Sequence, residues 1–330
     1  MTKKYLLALL FITQSMVSCS VADDVDPLPS WNKGSSRDSI IAFVEAVTDK
    51  TNVDYVPTIE RVAVFDNDGT LWSEQPLYFQ FYYALEQLAN AADAHPEWSD
   101  QEPFKTALGG VRDDILALGT KGLVEIILTT HSGMTNAEFG QSVKDWIASA
   151  EHPTTQRPFS QMVFQPMLEL LDYLRANEFE VYIVSGGGVE FMRAIARGIY
   201  GVPPENTIGS NLGMKLEETD SGLVLRRMAE INFINDKAGK PVGIQRAIGR
   251  RPIFAFGNSD GDLQMLQWTA AGDGRSFAGI VHHTDADREW AYDRESHLGR
   301  LDKALDEGRN RGWTIVDMKS EWAVIYPPER

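Results

Sequence analysis

One cysteine, Cys19, is the whole thiol content of this 330-residue chain. No disulfide can form within the chain, so its hydrophobic core alone must hold it together. Basic residues are the minority: 31 Lys and Arg stand against 47 Asp and Glu, a formal net charge of -16. Such a chain repels nucleic-acid phosphates, which excludes a polyanion partner. A small phosphate ester is not excluded, because a bound metal ion can offset the repulsion locally. There is no Gly-x4-Gly-Lys-Ser/Thr phosphate loop and no His-Glu-x-x-His zinc motif. Internal repeats and low-complexity tracts are missing as well. What remains is ordinary for a globular protein, with 43% hydrophobic and 24% charged residues. At roughly 150 residues per domain the length fits two units or one enlarged one.

The start of the chain is distinct. Met1-Thr2-Lys3-Lys4 is basic, and Tyr5 to Val17 is mostly apolar but too short to span a bilayer comfortably. This is the pattern of a secretory signal peptide, expected over residues 1–18. Cys19 follows Met16-Val17-Ser18, and this run resembles the lipobox of bacterial lipoproteins. The alternative is an ordinary signal peptide beside an incidental cysteine. The resemblance implies export, a two-chain lipid on Cys19 and, with Ser20 after it, an outer-membrane protein facing the periplasm. Membrane contact would then run through that lipid only; without it the protein would be soluble and periplasmic. Residues 19–36 read as a tether, with Asp23, Asp24, Asp26, Pro27, Pro29 and Gly34 and no periodicity.

Beyond the tether, apolar runs end repeatedly in polar tips. Arg61 to Phe65 ends at Asp66, and Val181 to Val184 ends at Ser185-Gly186-Gly187-Gly188. Ile253 to Phe256 ends at Gly257-Asn258-Ser259-Asp260, and Phe277 to Val281 ends at His282-His283. Short β-branched and aromatic runs of this kind are expected for strands buried on both faces. Helical patterns over Arg37–Thr48, Met167–Ala176, Val189–Tyr200 and Val242–Ile248 separate them. The alternation predicts an α/β fold with a Rossmann-like, doubly wound parallel sheet whose strand tips share one crevice. Residues 37–72 and 161–330 would form this core. The stretch 73–160 breaks the alternation with Tyr78, Phe79, Phe81, Tyr82, Tyr83, Leu85 and Leu88. It reads as an α-helical cap inserted after the first strand, or as an enlargement of the core.

Four polar tips carry chemistry. Asp66 and Asp68, in Asp66-Asn67-Asp68-Gly69-Thr70, suit a magnesium ion or a nucleophile with a general acid, although a turn or a calcium loop has the same letters. Ser185 precedes glycines that would open a helix and cradle an anion, or simply make a tight turn. Lys240, before Pro241 at an expected helix start, could neutralise phosphoryl charge; Lys237 competes for that role. Gly257 to Asp262 offers oxygen ligands, or a polar helix cap.

In this order the four motifs resemble the haloacid dehalogenase superfamily, over a core from about Val62 to His283. The insertion after the first motif, Val184 to Gly188 and Pro204 to Leu212 are similar to its phosphoserine phosphatase branch. The resemblance implies roles. Asp66 would be the nucleophile that is phosphorylated, and Asp68 the acid and base. Ser185, the Gly186 N–H and Lys240 would hold the phosphoryl group. Mg2+ would be bound by Asp66, by Asp68 through its carbonyl, and by Asn258. Asp262 would hold a metal-bound water or pair with Lys240. Asn258 stands where the family often has aspartate, and Asp260 would assist if needed. Dehalogenases proper lack the carboxylate of Asp68, so an alcohol leaving group is expected, not a halide.

The expected function is therefore a Mg-dependent phosphatase acting on a small phosphorylated substrate through an aspartyl-phosphate. The alternatives are a phosphotransferase or phosphonate-cleaving relative, or an inactive lipid-anchored binding protein. Glu74 could face substrate, Arg112 could meet a substrate carboxylate, and His282 or His283 could reach the crevice; a surface ion pair is the competing reading for Arg112 and a structural role for the histidines.

Overall fold

A computed structural model describes residues 26–220 and 222–328. The expected signal peptide and Cys19 lie outside the described residues. The described strands are β1 Val62–Phe65, β2 Glu180–Gly188, β3 Thr207–Thr219, β4 Gly222–Phe233, β5 Phe254–Gly257, β6 Phe277–His282 and β7 Thr314–Asp317. They form one seven-stranded sheet in the order β4-β3-β2-β1-β5-β6-β7. All adjacent pairs are parallel except β3 with β4. The sheet is thus the expected α/β core, with one antiparallel edge strand.

Period-2 alternation explains how both faces are filled. Ala63 and Phe65 of β1 and Phe254 and Phe256 of β5 belong to one buried cluster. Val62, Val64 and Ala255 belong to the other. Helices α1 (Ser35–Thr48), α7 (Gln165–Ala176) and α8 (Val189–Tyr200) cover the first face with Phe43, Leu171 and Ile195. Helices α9 (Gly239–Ile248), α10 (Leu263–Ala270) and α11 (Lys303–Arg311) cover the second with Ile244, Leu266 and Leu305. A short α12 (Met318–Glu321) follows β7.

Between β1 and α7 lie α2 (Phe79–Ala91), α3 (Phe104–Gly109), α4 (Arg112–Ala117), α5 (Gly119–His131) and α6 (Asn136–Ser149). Phe81, Leu88, Trp98, Phe104, Ile115 and Ile126 form a further buried cluster in this insertion, joined by Leu298 from beyond β6. Phe139, Val143 and Trp146 of α6 join the sheet's cluster instead. Capping is strong at the start of α6, where Thr135 and Glu138 form a reciprocal capping box.

Three local features differ from the sequence reading. Within the stretch expected to be a tether, Leu28 and Trp31 are buried, and Trp31 packs edge-on against Trp322 at 5.9 Å. Two apolar side chains among polar neighbours suffice to pin a segment without periodicity. The glycines after Ser185 do not open a helix. They continue β2 to Gly188, and α8 begins at Val189. Finally, β3 and β4 form a long hairpin, with Leu216 opposite Leu225, that was not anticipated. A signal existed: two alternating runs flank Asp220-Ser221-Gly222, a turn sequence.

Candidate active site

Strand order reverses around β1, because β2 leads to one edge and β5 to the other. A crevice must open beyond the carboxyl end of β1 at such a point. Asp66 is the first residue after β1, and Asn258 the first after β5. The topology therefore sets both at the crevice before any side-chain contact is considered.

Lys240 organises the charges. Its ammonium donates to Asp66 Oδ1, to Asp262 Oδ1 at 2.6 Å and to the Val184 carbonyl at 2.8 Å. It is only 2% exposed and lines the cavity described below, whereas Lys237 does not. The helix α9 begins at Gly239, so Lys240 lies inside its first turn and ahead of Pro241. Burial by itself would lower the lysine's pKa, but Asp262 and Asp66 outweigh it and push it up. Both oxygens of Asp262 are in use. Oδ1 takes Lys240, and Oδ2 accepts from the backbone N–H groups of Asn258 at 3.0 Å and Ser259 at 3.1 Å. Of the two expected roles for Asp262, the pairing with Lys240 is the one its contacts show.

Asp66 is held at Oδ1 by Lys240, while the Thr70 hydroxyl stands 3.4 Å from Oδ2. Burial pushes its carboxyl up to about 8; Asp262 and Asp68 add to this and Lys240 opposes it. Asp68 accepts from the indole of Trp72 at 2.9 Å and from Ser185 Oγ at 3.4 Å. Burial raises its carboxyl too, against these hydrogen bonds. Ser185 is fully buried and accepts the Gly187 N–H at 2.9 Å. The cavity is lined by Gly186, Gly187 and Gly188, not by the serine itself.

Two glycine positions are forced by close neighbours. Gly69 has φ 74, and a Cβ there would lie 2.0 Å from Asn258 Nδ2 and 2.4 Å from Glu74 Oε1. A Cβ on Gly188 would lie 2.7 Å from Gln80 Nε2. Gln80 of α2 sits against the glycine strand end, where its Oε1 accepts the Gly188 N–H at 2.8 Å. It ties the helical insertion to the β2 tip, and sequence reasoning missed it because a lone glutamine carries no pattern.

Glu74 is buried, and its Oε1 accepts from Asn258 Nδ2 at 2.7 Å and from the Tyr292 hydroxyl at 2.8 Å. Burial drives its carboxyl well above the usual carboxylate range, and Asp68 and Asp66 add to the effect against Tyr292 and Asn258. Four expected participants stand elsewhere. Asp260 turns away and accepts the N–H groups of Asp302 at 3.0 Å and Ala304 at 2.9 Å, capping α11. Arg112 donates to the Pro76 carbonyl and to Asp113, at the protein surface. His283 is buried under the first motif, with Nε2 2.7 Å from the Gly69 carbonyl and its ring stacked on Tyr292 at 4.4 Å. It braces the loop and does not line the cavity, and His282 pairs with Asp293.

Among the described residues, no group of three or more His, Cys, Asp or Glu is arranged to hold a metal ion. Magnesium does not need such a group, since it takes one or two carboxylates and fills its remaining sites with waters and substrate phosphate. The donor set fits this. Asp66 Oδ2 and Asn258 Oδ1 stand 3.4 and 3.2 Å from the same hydroxyl, Thr70 Oγ1, so the two oxygens converge. Asp66 and Asp262 share the one ammonium of Lys240, and Asp68 and Glu74 line the same cavity, so acidic groups outnumber the cation there.

The titration of Asp66 gives a consequence that can be measured without turnover. Its carboxyl rises from 3.8 to about 8 on folding, so between those values the native state binds more protons than the unfolded state. Stability of the metal-free protein therefore falls as pH rises through that window. Asp66→Asn removes this liability. In chelator, its Tm should exceed that of the wild type by a margin that grows from pH 5 to pH 8. Magnesium should then raise the wild-type Tm more than the variant's. A margin that stays constant with pH would contradict this account of the buried carboxylates.

A sequence profile of haloacid dehalogenase-like hydrolases matches residues 63–267. No curated protein matches the chain. A solved protein of unknown function from Bordetella pertussis Tohama I superimposes with TM-score 0.51 at 15% identity, covering 78% of this chain and 99% of its own. A conserved, functionally unknown protein from Anaerococcus prevotii DSM 20548 gives TM-score 0.52 at 16% identity, covering 90% and 97%. A phosphoserine phosphohydrolase-like protein from Francisella tularensis subsp. tularensis SCHU S4 matches at TM-score 0.36 and 19% identity, covering 67% and 87%.

Proposed function

The chain belongs to the haloacid dehalogenase-like hydrolase family, and from that premise we propose that it is a magnesium-dependent phosphatase that hydrolyses a small phosphomonoester through an aspartyl-phosphate on Asp66. The observation that carries this reading is Lys240, which grips Asp66 and Asp262 together at the β1 tip while Asp68 faces the same cavity.

In the first half-reaction, a carboxylate oxygen of Asp66 attacks phosphorus as the bond to the substrate oxygen breaks. Asp68, whose carboxyl is raised by burial, delivers its proton to the departing alkoxide. Trp72 and Ser185 orient Asp68 for this transfer. In the second half-reaction, Asp68 as carboxylate takes a proton from water. The water oxygen bonds to phosphorus, and the bond to Asp66 breaks. The sum is ester plus water giving alcohol plus inorganic phosphate. Lys240 offsets charge on the transferring group, and the backbone of Gly186 to Gly188 borders it. A magnesium ion held by Asp66, the Asp68 carbonyl and Asn258 would neutralise phosphoryl charge when bound.

The proton donor has a distinguishing test. Asp68→Asn should lower kcat about 10²- to 10⁴-fold on an alkyl phosphate. On p-nitrophenyl phosphate, whose leaving group needs no proton, the first step should be far less affected, visible as a pre-steady-state burst of nitrophenol. Equal slowing of the first step for both esters would remove Asp68 from that role. The reading extends to location: export with a lipid on Cys19, supported by the sequence of residues 1–19. Labelled palmitate should enter the wild type and not Cys19→Ala; equal labelling would sink the anchor.

A further inference from the structure

Resting on the phosphatase reading, we infer that the alcohol half of the substrate is a mostly apolar group with a negatively charged far end, and that Arg227 on β4 receives that end. A cavity of about 450 Å³ runs from Asp66 and Asp68 into the helical insertion. A phosphoryl group fills only a small part of such a volume, which is in the range that encloses drug-sized ligands. The walls away from the carboxylates are apolar, with Phe81 of α2, Leu123 and Ile127 of α5, Leu212 of β3 and Ile231 of β4.

Of the polar side chains in the lining, Gln80 and His131 are committed to the protein, whereas Asp236 and Thr120 also border the cavity. The Gln80 amide serves the Gly188 N–H and lies 3.1 Å from His131 Nε2. His131 bonds Thr130 through Nδ1, and burial with Arg227 nearby pushes its pKa down to about 3, so it is neutral. A hydroxyl set against the apolar walls, or against Gln80 and His131, would go unmatched and cost binding.

Arg227 differs from these groups. It lines the same cavity and is only 4% exposed. Its guanidinium donates to the His131 carbonyl at 2.6 Å and to Asn136 Oδ1 at 3.2 Å, and it lies 3.9 Å from the centre of the Phe139 ring. Every one of these partners is uncharged. Among the described residues no carboxylate is within ion-pair distance of it. Glu190, on the same wall, is engaged with Arg193 at 2.7 Å and with Asn136 at 3.0 Å. Glu190 attracts the guanidinium from the far side of the Asn136 amide without touching it. A buried guanidinium with no carboxylate in direct contact is costly, and a ligand anion that reaches it relieves that cost. The competing role is structural, because the Arg227 backbone also pairs with Gly133 and Met134 and ties the hairpin to the insertion.

Ligand chemistry separates the two roles. Asp66→Asn protein, which should bind but not turn over, would be titrated calorimetrically with four esters in magnesium: 6-phosphooxyhexanoate, hexyl phosphate, 6-aminohexyl phosphate and sorbitol 6-phosphate. The acid is expected to bind about 10- to 100-fold tighter than the amine, in line with one charge-assisted hydrogen-bonded contact. Hexyl phosphate should bind tighter than the sorbitol ester. Adding Arg227→Gln should erase the preference for acid over amine, and Arg227→Lys should restore part of it. If those variants fail to fold, the ligand series on the Arg227 protein still decides. Amine binding as tight as acid, or sorbitol ester tighter than hexyl, would overturn the inference. Failure of the wild type to hydrolyse any ester would instead strike the phosphatase reading beneath it.

Discussion

Asp66→Asn is expected to lower kcat on every phosphate ester by at least about 10⁴-fold, because a reaction that runs through a covalent intermediate loses its route when the nucleophile is gone. The substitution is nearly isosteric. Lys240 keeps Asp262, and the amide oxygen of the new side chain can accept its hydrogen bond. The fold should therefore persist and, in chelator above pH 5, gain stability for the reason given with the Asp66 titration. Loss of activity together with a raised Tm is hard to obtain from a residue that matters only for structure. A fall of kcat below about tenfold would remove Asp66 from the nucleophile's role.

Lys240→Met should have the second-largest effect, and on both activity and stability. The ammonium is 2% exposed and satisfies Asp66, Asp262 and the Val184 carbonyl at once. Removing it leaves two carboxylates facing each other without a cation. Breaking a buried pair in this way costs about 3–5 kcal/mol. Urea unfolding at pH 7.5 should show a loss of that size. The loss should shrink as pH falls, since the stranded carboxyls can then bind protons. Activity should drop about 10²- to 10³-fold, as for loss of one preorganised charge at a reacting group. A variant as stable as the wild type at pH 7.5 would mean that the carboxylates are balanced by something other than Lys240.

The fold was legible where burial is two-sided. Val62 to Phe65 and Phe254 to Gly257 are short, wholly apolar runs, and such runs have few uses other than central parallel strands. The site was legible where a strand tip carries its chemistry in consecutive letters, as at Asp66 to Thr70 and Gly257 to Asp262. Side chains that reach the site across the tertiary fold left no such trace. Gln80, Tyr292 and Arg227 come from three separate segments, and only packing brings them to the cavity or the carboxylates. Asp260 shows the converse. Its neighbours in sequence mark it as a ligand, yet the turn after β5 points it at the backbone of α11. Composition could not give these directions, because one residue's rotation about a turn decides whether a carboxylate enters the crevice or caps a helix.

The most direct measurement is rapid acid quench of the wild-type protein during turnover of a phosphate ester in magnesium, carrying a label on the phosphoryl group. Peptide mapping should then locate the label on the segment that contains Asp66, bound through an acyl phosphate that alkali releases. Label on any other residue, or full turnover with no labelled protein at any quench time, would contradict the mechanism.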